Sequence, residues 1–371
     1  MEGSPCLISL ACCTPSSTAM GEAFDVVIVV DSIASATSTP ACCDFTARFK
    51  PSLSHCKIQI VVNDKRIPSL DGCLDPKTGD VRFIHSNTTK PSPELLREAV
   101  LSVASKGRNC LQYQALTKED EILSIADAHL FVWELTDKVF VSDIDGTLTT
   151  SNLRGIVNTV MTDNFQQDAS TLHHGICNFY ENFLQAADQH NVTVRLVYLT
   201  SRPLELASVT RRFLTTVAQN GVELPAGPLV GHPGTLMDVL NSELFKRDIH
   251  RHKADRLMRF LRLVYAGAGA TADSSPLVGA IGNTMTDTTA YEMGGVPLNH
   301  IYLIDPSSRI RCFDTQGLGG ASHGEEQRRK QSKTASPMRP IRSHRSYKRL
   351  MNTTFEGYDD PSFLDHARRM L

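Results

Sequence analysis

The stretch "KVFVSDIDGTLTT", Lys138 to Thr150, runs through Val139, Phe140 and Val141 and then presents two carboxylates two positions apart, Asp143 and Asp145. A short apolar run bounded by a turn reads as a buried strand. In an open parallel sheet ligands bind beyond the carboxyl ends of the strands, which is where both acids fall. Carboxylates this close repel each other and resist ionisation unless a cation neutralises them. Magnesium does so with oxygen ligands while leaving room for water and a substrate phosphate. The segment therefore reads as a metal and phosphate site at the rim of a sheet. The plainer alternative is a solvated turn, since Asp-Gly is common in turns.

Downstream the pattern keeps to that fold class. The strand candidates "VTVRLVYLT", "PLVGAIGN" and "HIYLID" alternate with helical spacing, the signature of a parallel sheet with crossover helices. Ile176, Phe179, Tyr180, Phe183, Leu184 and Ala187 form one apolar helix face, and Leu257, Phe260, Leu261 and Val264 form another. Upstream the period falls to two. "FDVVIVV", "CKIQIVVN", "DVRFIH", "CLQYQAL" and "AHLFVWEL" predict short antiparallel strands and an all-β sandwich. "SPELLREAVLSVASKG" interrupts them as a helix with Ser92 as N-cap and Gly107 beyond its end.

The organisation expected is a flexible tail over 1–22, a sandwich over 23–137, an α/β catalytic domain over 138–315 and a basic, disordered tail over 316–371. In that last tail Arg328, Arg329, Lys330, Lys333, Arg339, Arg342, Arg345, Lys348 and Arg349 occur with no acidic residue among them. It reads as a solvated segment, as an attraction to anionic lipid headgroups, or as a nuclear-import signal. The 371 residues carry a net charge of only −2, which gives no global attraction to nucleic acid or membrane. "CLISLACC" near the start is too short to span a bilayer, and no Lys or Arg precedes Arg48, so neither a membrane helix nor a basic signal peptide is expected. Ten cysteines without CxxC spacing point to reduced thiols in an intracellular protein, with Cys6, Cys12 and Cys13 as candidates for acylation.

Two later strand ends and a helix start add chemistry to the first. "VYLTSR" delivers Thr200, Ser201 and Arg202, hydroxyl and guanidinium donors suited to phosphate oxygens. Lys253 opens "KADRLMRFLRL" as a point positive charge, and "AIGNTMTD" brings Asn283 and Asp287. Each has an ordinary explanation alone, as a helix cap, a surface charge or a helix-start acid. Their order carries the argument.

That order, DxDxT, a strand-terminal Thr, Lys, then GNxxxD, resembles the haloacid dehalogenase superfamily of magnesium-dependent phosphatases. "SDIDGTLT", "YLTSRPLELASVTRRFL", "LPAGPL" and "GNTMTDTTAYEMGGVP" resemble more specifically the lipin family of phosphatidate phosphatases, as do "FDVVIVV", "FTARFKP", "IQIVVND" and "TGDVRFI" upstream. The likeness covers most of Ala23 to Ile310. It implies a compact lipin: a Rossmann-like haloacid dehalogenase domain beside an immunoglobulin-like sandwich. It further implies that Asp143 attacks the phosphorus and that Asp145 acts as acid, then base. Magnesium would be held by the Asp143 and Asp287 carboxylates and the Asp145 main-chain carbonyl, near Asn283. Thr200 and Lys253 would bind phosphoryl oxygens, with Ser201 and Arg202 beside them; Gly146 would allow the tight turn and Thr147 would orient the loop. The partner implied is phosphatidate in anionic membranes, reached peripherally at the endoplasmic reticulum or nuclear membrane, with no specific nucleic acid.

Two features depart from the family pattern. Leu153 to Val157 reads LRGIV where coactivating lipins carry LxxIL, and no basic amphipathic helix precedes Ala23. Three rivals remain at this point: a phosphatidate-sensing module of the retinal-degeneration-B kind, which lacks the nucleophilic aspartate, a phosphatase for soluble esters, and a nuclear interaction protein.

Overall fold

A computed structural model of the chain describes residues 21–32, 39–84, 86–150, 171–235, 238, 249–270, 275–313 and 351–371. The N-terminal cysteines, the Leu153–Val157 stretch and the basic cluster from Arg328 to Arg349 lie outside these residues.

The upstream half supplies β1 (Glu22–Ala23), β2 (Val26–Val30), β3 (Ala41–Cys42), β4 (Ala47–Arg48), β5 (Lys57–Val62), β6 (Lys65–Arg66), β7 (Gly72–Leu74), β8 (Val81–Phe83), β9 (Gly107–Leu116) and β10 (Ile122–Glu134). The period-two reading holds where a strand has one wet face. In β9, Asn109, Leu111, Tyr113 and Ala115 are buried and alternate with partly exposed neighbours. Asn63 and Asp64 at φ 49° and 62° turn β5 into β6, the positive-φ pair that a two-residue hairpin requires.

The expected two-sheet division is not what forms. Eight of these strands make one sheet, in the order β3-β2-β10-β9-β5-β7-β8 with β6 on β5, and only the β1/β4 pair stands apart. Moreover β2 runs parallel to β10. The reason is visible in β2, whose five residues are all buried. A strand covered on both faces needs a second layer. Here the core cluster that holds Val26 to Val30 also holds Val139, Val141, Leu257, Leu261 and Val264 of the downstream half. The predicted helix is also shorter than expected. Ser92 caps it through Oγ, but an α-turn at Pro93–Leu95 continues as a π-helix only through Leu96–Val100.

The downstream half contributes β11 (Lys138–Asp143), β12 (Val194–Pro203), the small pair β13 (Ala218–Gln219) and β14 (Val222–Glu223), β15 (Leu229–His232), β16 (Leu277–Gly282), β17 (Ile301–Ile304), β18 (Ile310–Cys312) and β19 (Thr353–Phe355). The main sheet runs β15-β12-β11-β16-β17-β18-β19, parallel from β15 to β17 and antiparallel thereafter. Because β12 and β15 lie on one side of β11 and β16 on the other, the order reverses at β11. Ligands bind at such switch points.

Helices α1 (Ile176–Gln189), α2 (Ala207–Thr216), α3 (Ile249–Leu257), α4 (Leu263–Gly267), α5 (Met285–Gly294) and α6 (Pro361–Arg368) accompany this sheet, with a π-helical Met258–Arg262 joining α3 to α4. Of the apolar face predicted for α1, Ile176, Phe179, Tyr180, Phe183 and Ala187 are buried and Leu184 is half-buried.

Residues 351–371, expected to be disordered, are instead part of this core. β19 extends the sheet, and Phe363 of α6 stacks on Phe179 of α1 with ring centroids 4.4 Å apart. Gly175, at φ +79°, makes room for the segment, since a Cβ there would lie 2.9 Å from that of Asp359. The segment lacks the basic run that suggested disorder, and its Phe355, Tyr358, Phe363 and Ala367 are buried.

The two halves meet through buried charge as well as apolar surface. Asp25 Oδ1 accepts from Arg211 Nε of α2 and from the His129 main-chain N–H, each at 2.8 Å, and Oδ2 accepts from the Leu229 N–H at 2.8 Å. Arg211 completes its set by donating to the carbonyls of Ala23 and Asp127.

Candidate active site

The site grows from the end of β11. There Gly146 takes φ +80°, and the Thr147 and Leu148 N–H groups fold back onto the Ile144 carbonyl. This turn faces Thr147 toward the strand end, where its Oγ1 donates to Asp143 Oδ2 at 3.0 Å. The other oxygen of Asp143 accepts from Lys253 Nζ at 2.7 Å, and the same ammonium reaches Asp287 Oδ1 at 2.7 Å. Asp143, Lys253 and Asp287 are 2%, 8% and 1% exposed, so Lys253 is no surface charge.

Asp287 is placed by the start of α5. Thr284 and Asp287 form a capping box, and Asp287 Oδ2 also accepts from the Asn283 N–H at 3.2 Å. Gly282 is required by the close approach, because a Cβ there would lie 2.5 Å from the Asp287 Cβ. Asn283 thus enters the site through its main chain.

Asp145 belongs to a second network. Thr200 Oγ1 donates to its Oδ2 at 3.0 Å. Arg202 Nε contacts both carboxylate oxygens, at 3.2 and 3.1 Å, and Nη2 reaches Oδ1 at 2.7 Å. Ser201, between them, is half-buried and makes no bond to the three carboxylates.

The electrostatics follow from this division. Burial pushes the Asp143 carboxyl up to about 7; the Lys253 ammonium pulls against that rise, while Asp287 and Asp145 add to it. Burial opposes the Asp287 carboxylate too, but Lys253 and the Thr284 hydrogen bonds outweigh it and hold its pKa below the usual range. For Lys253, burial is overcome by the two carboxylates, which raise its pKa. Three carboxylates against Lys253 and Arg202 leave one net negative charge in the pocket. Among the described residues no group of three or more His, Cys, Asp or Glu side chains converges as a metal cluster. The donors at hand are the Asp143 carboxylate, each of whose oxygens accepts one hydrogen bond, and Asp287 Oδ1, which accepts only from Lys253 while Oδ2 already takes three donors. Such a hard-oxygen set with residual negative charge fits magnesium in chemistry.

Sequence reading missed the groups that brace the site. Tyr180 donates to Ser142 Oγ at 2.7 Å, Ser142 donates to the Asp143 carbonyl, and Tyr358 donates to the Thr147 carbonyl at 3.1 Å. Thr210 takes Arg202 Nη1 at 3.1 Å. Only Thr284 carried a local signal, as a threonine three residues before an acid. The two tyrosines act across 38 and 211 residues, whereas Ser142 and Thr210 lie one and eight residues from the groups they brace.

Comparison with known proteins agrees with the family resemblance. The sequence model of the LNS2 (Lipin/Ned1/Smp2) family matches residues 87–320. The chain is 28% identical over 181 residues to human phosphatidate phosphatase LPIN1, covering 49% of this chain and 18% of that protein. It is 30% identical over 199 residues to nuclear elongation and deformation protein 1 of Schizosaccharomyces pombe, covering 54% and 28%. It is 28% identical over 184 residues to phosphatidate phosphatase PAH1 of Arabidopsis thaliana, covering 50% and 18%. The chain therefore spans well under a third of the length of these relatives.

Proposed function

The chain belongs to the LNS2 (Lipin/Ned1/Smp2) family, whose sequence model takes in well over half of it, and from that premise we propose that it is a magnesium-dependent phosphatase that hydrolyses phosphatidate to diacylglycerol and phosphate at a membrane surface. The observation that carries the proposal is the buried Asp143–Lys253–Asp287 arrangement with Asp145 on the same turn. In this reading Asp145, which takes up a proton from solvent before cleavage, gives that proton to the glyceryl oxygen as an Asp143 oxygen bonds to phosphorus and the bond to the glyceryl oxygen breaks. Water then attacks the aspartyl-phosphate, Asp145 takes the water's proton, and phosphate leaves. Lys253 holds phosphoryl oxygens, joined by Thr200 once its hydroxyl turns from Asp145 to the substrate, while Thr147 keeps the nucleophile aimed. Magnesium, held by the Asp143 and Asp287 carboxylates and the Asp145 carbonyl, supplies charge stabilisation for the transferring group.

No helix among the described residues is long and apolar enough to cross a membrane. We assign contact with the lipid surface, that of the endoplasmic reticulum or nuclear membrane, to the basic run Arg328 to Arg349, by attraction to anionic headgroups.

The test is phosphate release from phosphatidate in mixed micelles, set beside soluble phosphomonoesters, with magnesium and with excess chelator. Release should require magnesium and favour phosphatidate, and Asp143→Asn should reduce it to background. Preference for a sugar phosphate, or undiminished hydrolysis by Asp143→Asn, refutes the proposal.

A further inference from the structure

The guanidinium of Arg202 is not available to a substrate. Its side chain is 3% exposed, its Nε and Nη2 face the Asp145 carboxylate as a fork, and its Nη1 is tied to Thr210, which in turn donates to the Leu206 carbonyl at 2.7 Å. A planar fork against a carboxylate fixes orientation as well as charge. Thr200 closes the set, accepting from the Arg202 N–H at 3.1 Å while donating to Asp145. The Asp145 side chain, 12% exposed, is thus held in one orientation by β12 and, through Thr210, by α2.

We propose that Arg202 is a positioning residue for Asp145: its fork, braced by Thr210, sets the angle at which Asp145 meets the leaving oxygen, and it does not bind the phosphoryl group. This rests on the reading of Asp145 as the general acid. A misaimed acid slows cleavage only when the leaving oxygen needs a proton. An alkyl ester needs one, whereas an aryl ester leaves as a stabilised phenolate. A phosphate ligand serves both alike.

The experiment compares kcat/KM, which reports cleavage of the ester and not the later hydrolysis of the aspartyl-phosphate, for phosphatidate, a soluble alkyl phosphate and p-nitrophenyl phosphate on the full chain. Arg202→Lys keeps the charge and loses the fork. It should lower kcat/KM for the alkyl esters by about 100-fold, within the range a general acid contributes, and leave the aryl ester within about threefold. Thr210→Val, which leaves the Arg202–Asp145 pair in place, should give a smaller loss with the same alkyl selectivity. Equal losses on alkyl and aryl esters in Arg202→Lys would make Arg202 a phosphate ligand and overturn the inference. Asp145→Asn serves as the reference. If it discriminates between the esters and Arg202→Lys does not, the positioning role alone is wrong. If it does not discriminate, the general-acid reading beneath it is wrong. Because the comparison is alkyl against aryl, a preference for soluble esters would refute the lipid substrate and leave this test intact.

Discussion

Replacing Arg211 by Met asks whether the two halves fold as one. Asp25 and Arg211 are 1% and 9% exposed in their side chains, and the contact between them is 2.8 Å. Met keeps most of the aliphatic volume but leaves Asp25 ionised with two main-chain N–H donors, and it strips the Ala23 and Asp127 carbonyls of the guanidinium. Removing one partner of a buried pair costs about 3–5 kcal/mol, because the remaining charge stays desolvated. At about 2–4 °C per kcal/mol for a chain somewhat smaller than this one, the melting temperature should fall by roughly 6–20 °C. Urea unfolding provides the assay, since the chain has a single tryptophan, Trp133, buried in β10. Its fluorescence reports the upstream sheet, and far-ultraviolet circular dichroism reports the whole. The shared core cluster predicts that both traces coincide in the parent protein. The double variant Asp25→Leu with Arg211→Met leaves no buried charge and should recover part of the loss. A cost below about 1 kcal/mol for Arg211→Met, well under the buried-pair range, would refute the reasoning, as would separate transitions in the parent.

Acid should weaken the fold through four buried or half-buried histidines, against the opposing effect of Asp143, whose carboxyl burial raises to about 7. Burial holds His129, His173, His300 and His366 below the ordinary imidazole value of 6.5. At these four positions the unfolded chain binds more protons than the folded one, so their contribution is fully present above about 6.5 and declines as pH falls through the folded values; Asp143→Asn removes the opposing carboxyl and is the background for the measurement. Urea midpoints measured downward from pH 7 should show this decline, and a flat profile to pH 5 would contradict it. Tyr358→Phe removes one hydroxyl and keeps the ring. It should cost about 1 kcal/mol of stability and lower kcat with KM unchanged, because the lost bond supports Thr147, which aims Asp143. A rise in KM at constant kcat would place Tyr358 elsewhere in the reaction.

The strand ends were legible because each of Asp143, Thr200 and Asp287 follows an apolar run that had to be buried, and the buried run dictates where the next polar group emerges. The pairing of those groups was not. Lys253 and Arg202 read alike as cations for phosphate, yet the first bridges two carboxylates and the second is consumed by one. Which acid a cation meets depends on strand order, and nothing local in "LTSRP" states that β12 lies beside β11. The single upstream sheet escaped detection for a related reason. Period two reports one wet face, whereas β2 is buried throughout, so its continuous run of Val and Ile carried the signal of a layer above it. The C-terminal segment was assigned to the tail by its basic neighbours, although "TTF" and "PSFLDHAR" already hold alternating and helical apolar positions.

Sorting the acids between two cations bears on why the proposed reaction carries a divalent ion. Lys253 serves Asp143 and Asp287, Arg202 serves Asp145, and one negative charge is left over. A phosphomonoester near neutral pH brings about −1.5 to −2 more, which no remaining side chain of the two networks offsets. Burial, with Asp287 and Asp145 adding to it, already raises the Asp143 carboxyl, and a nucleophile must be ionised to attack. Without added positive charge, the approach of a dianion would favour protonation of Asp143 and remove the nucleophile as the substrate arrived. Held as proposed, magnesium would bring the sum back near its resting value and would lower the cost of ionising Asp143. The chelator experiment therefore probes ionisation of the nucleophile as much as binding of the substrate.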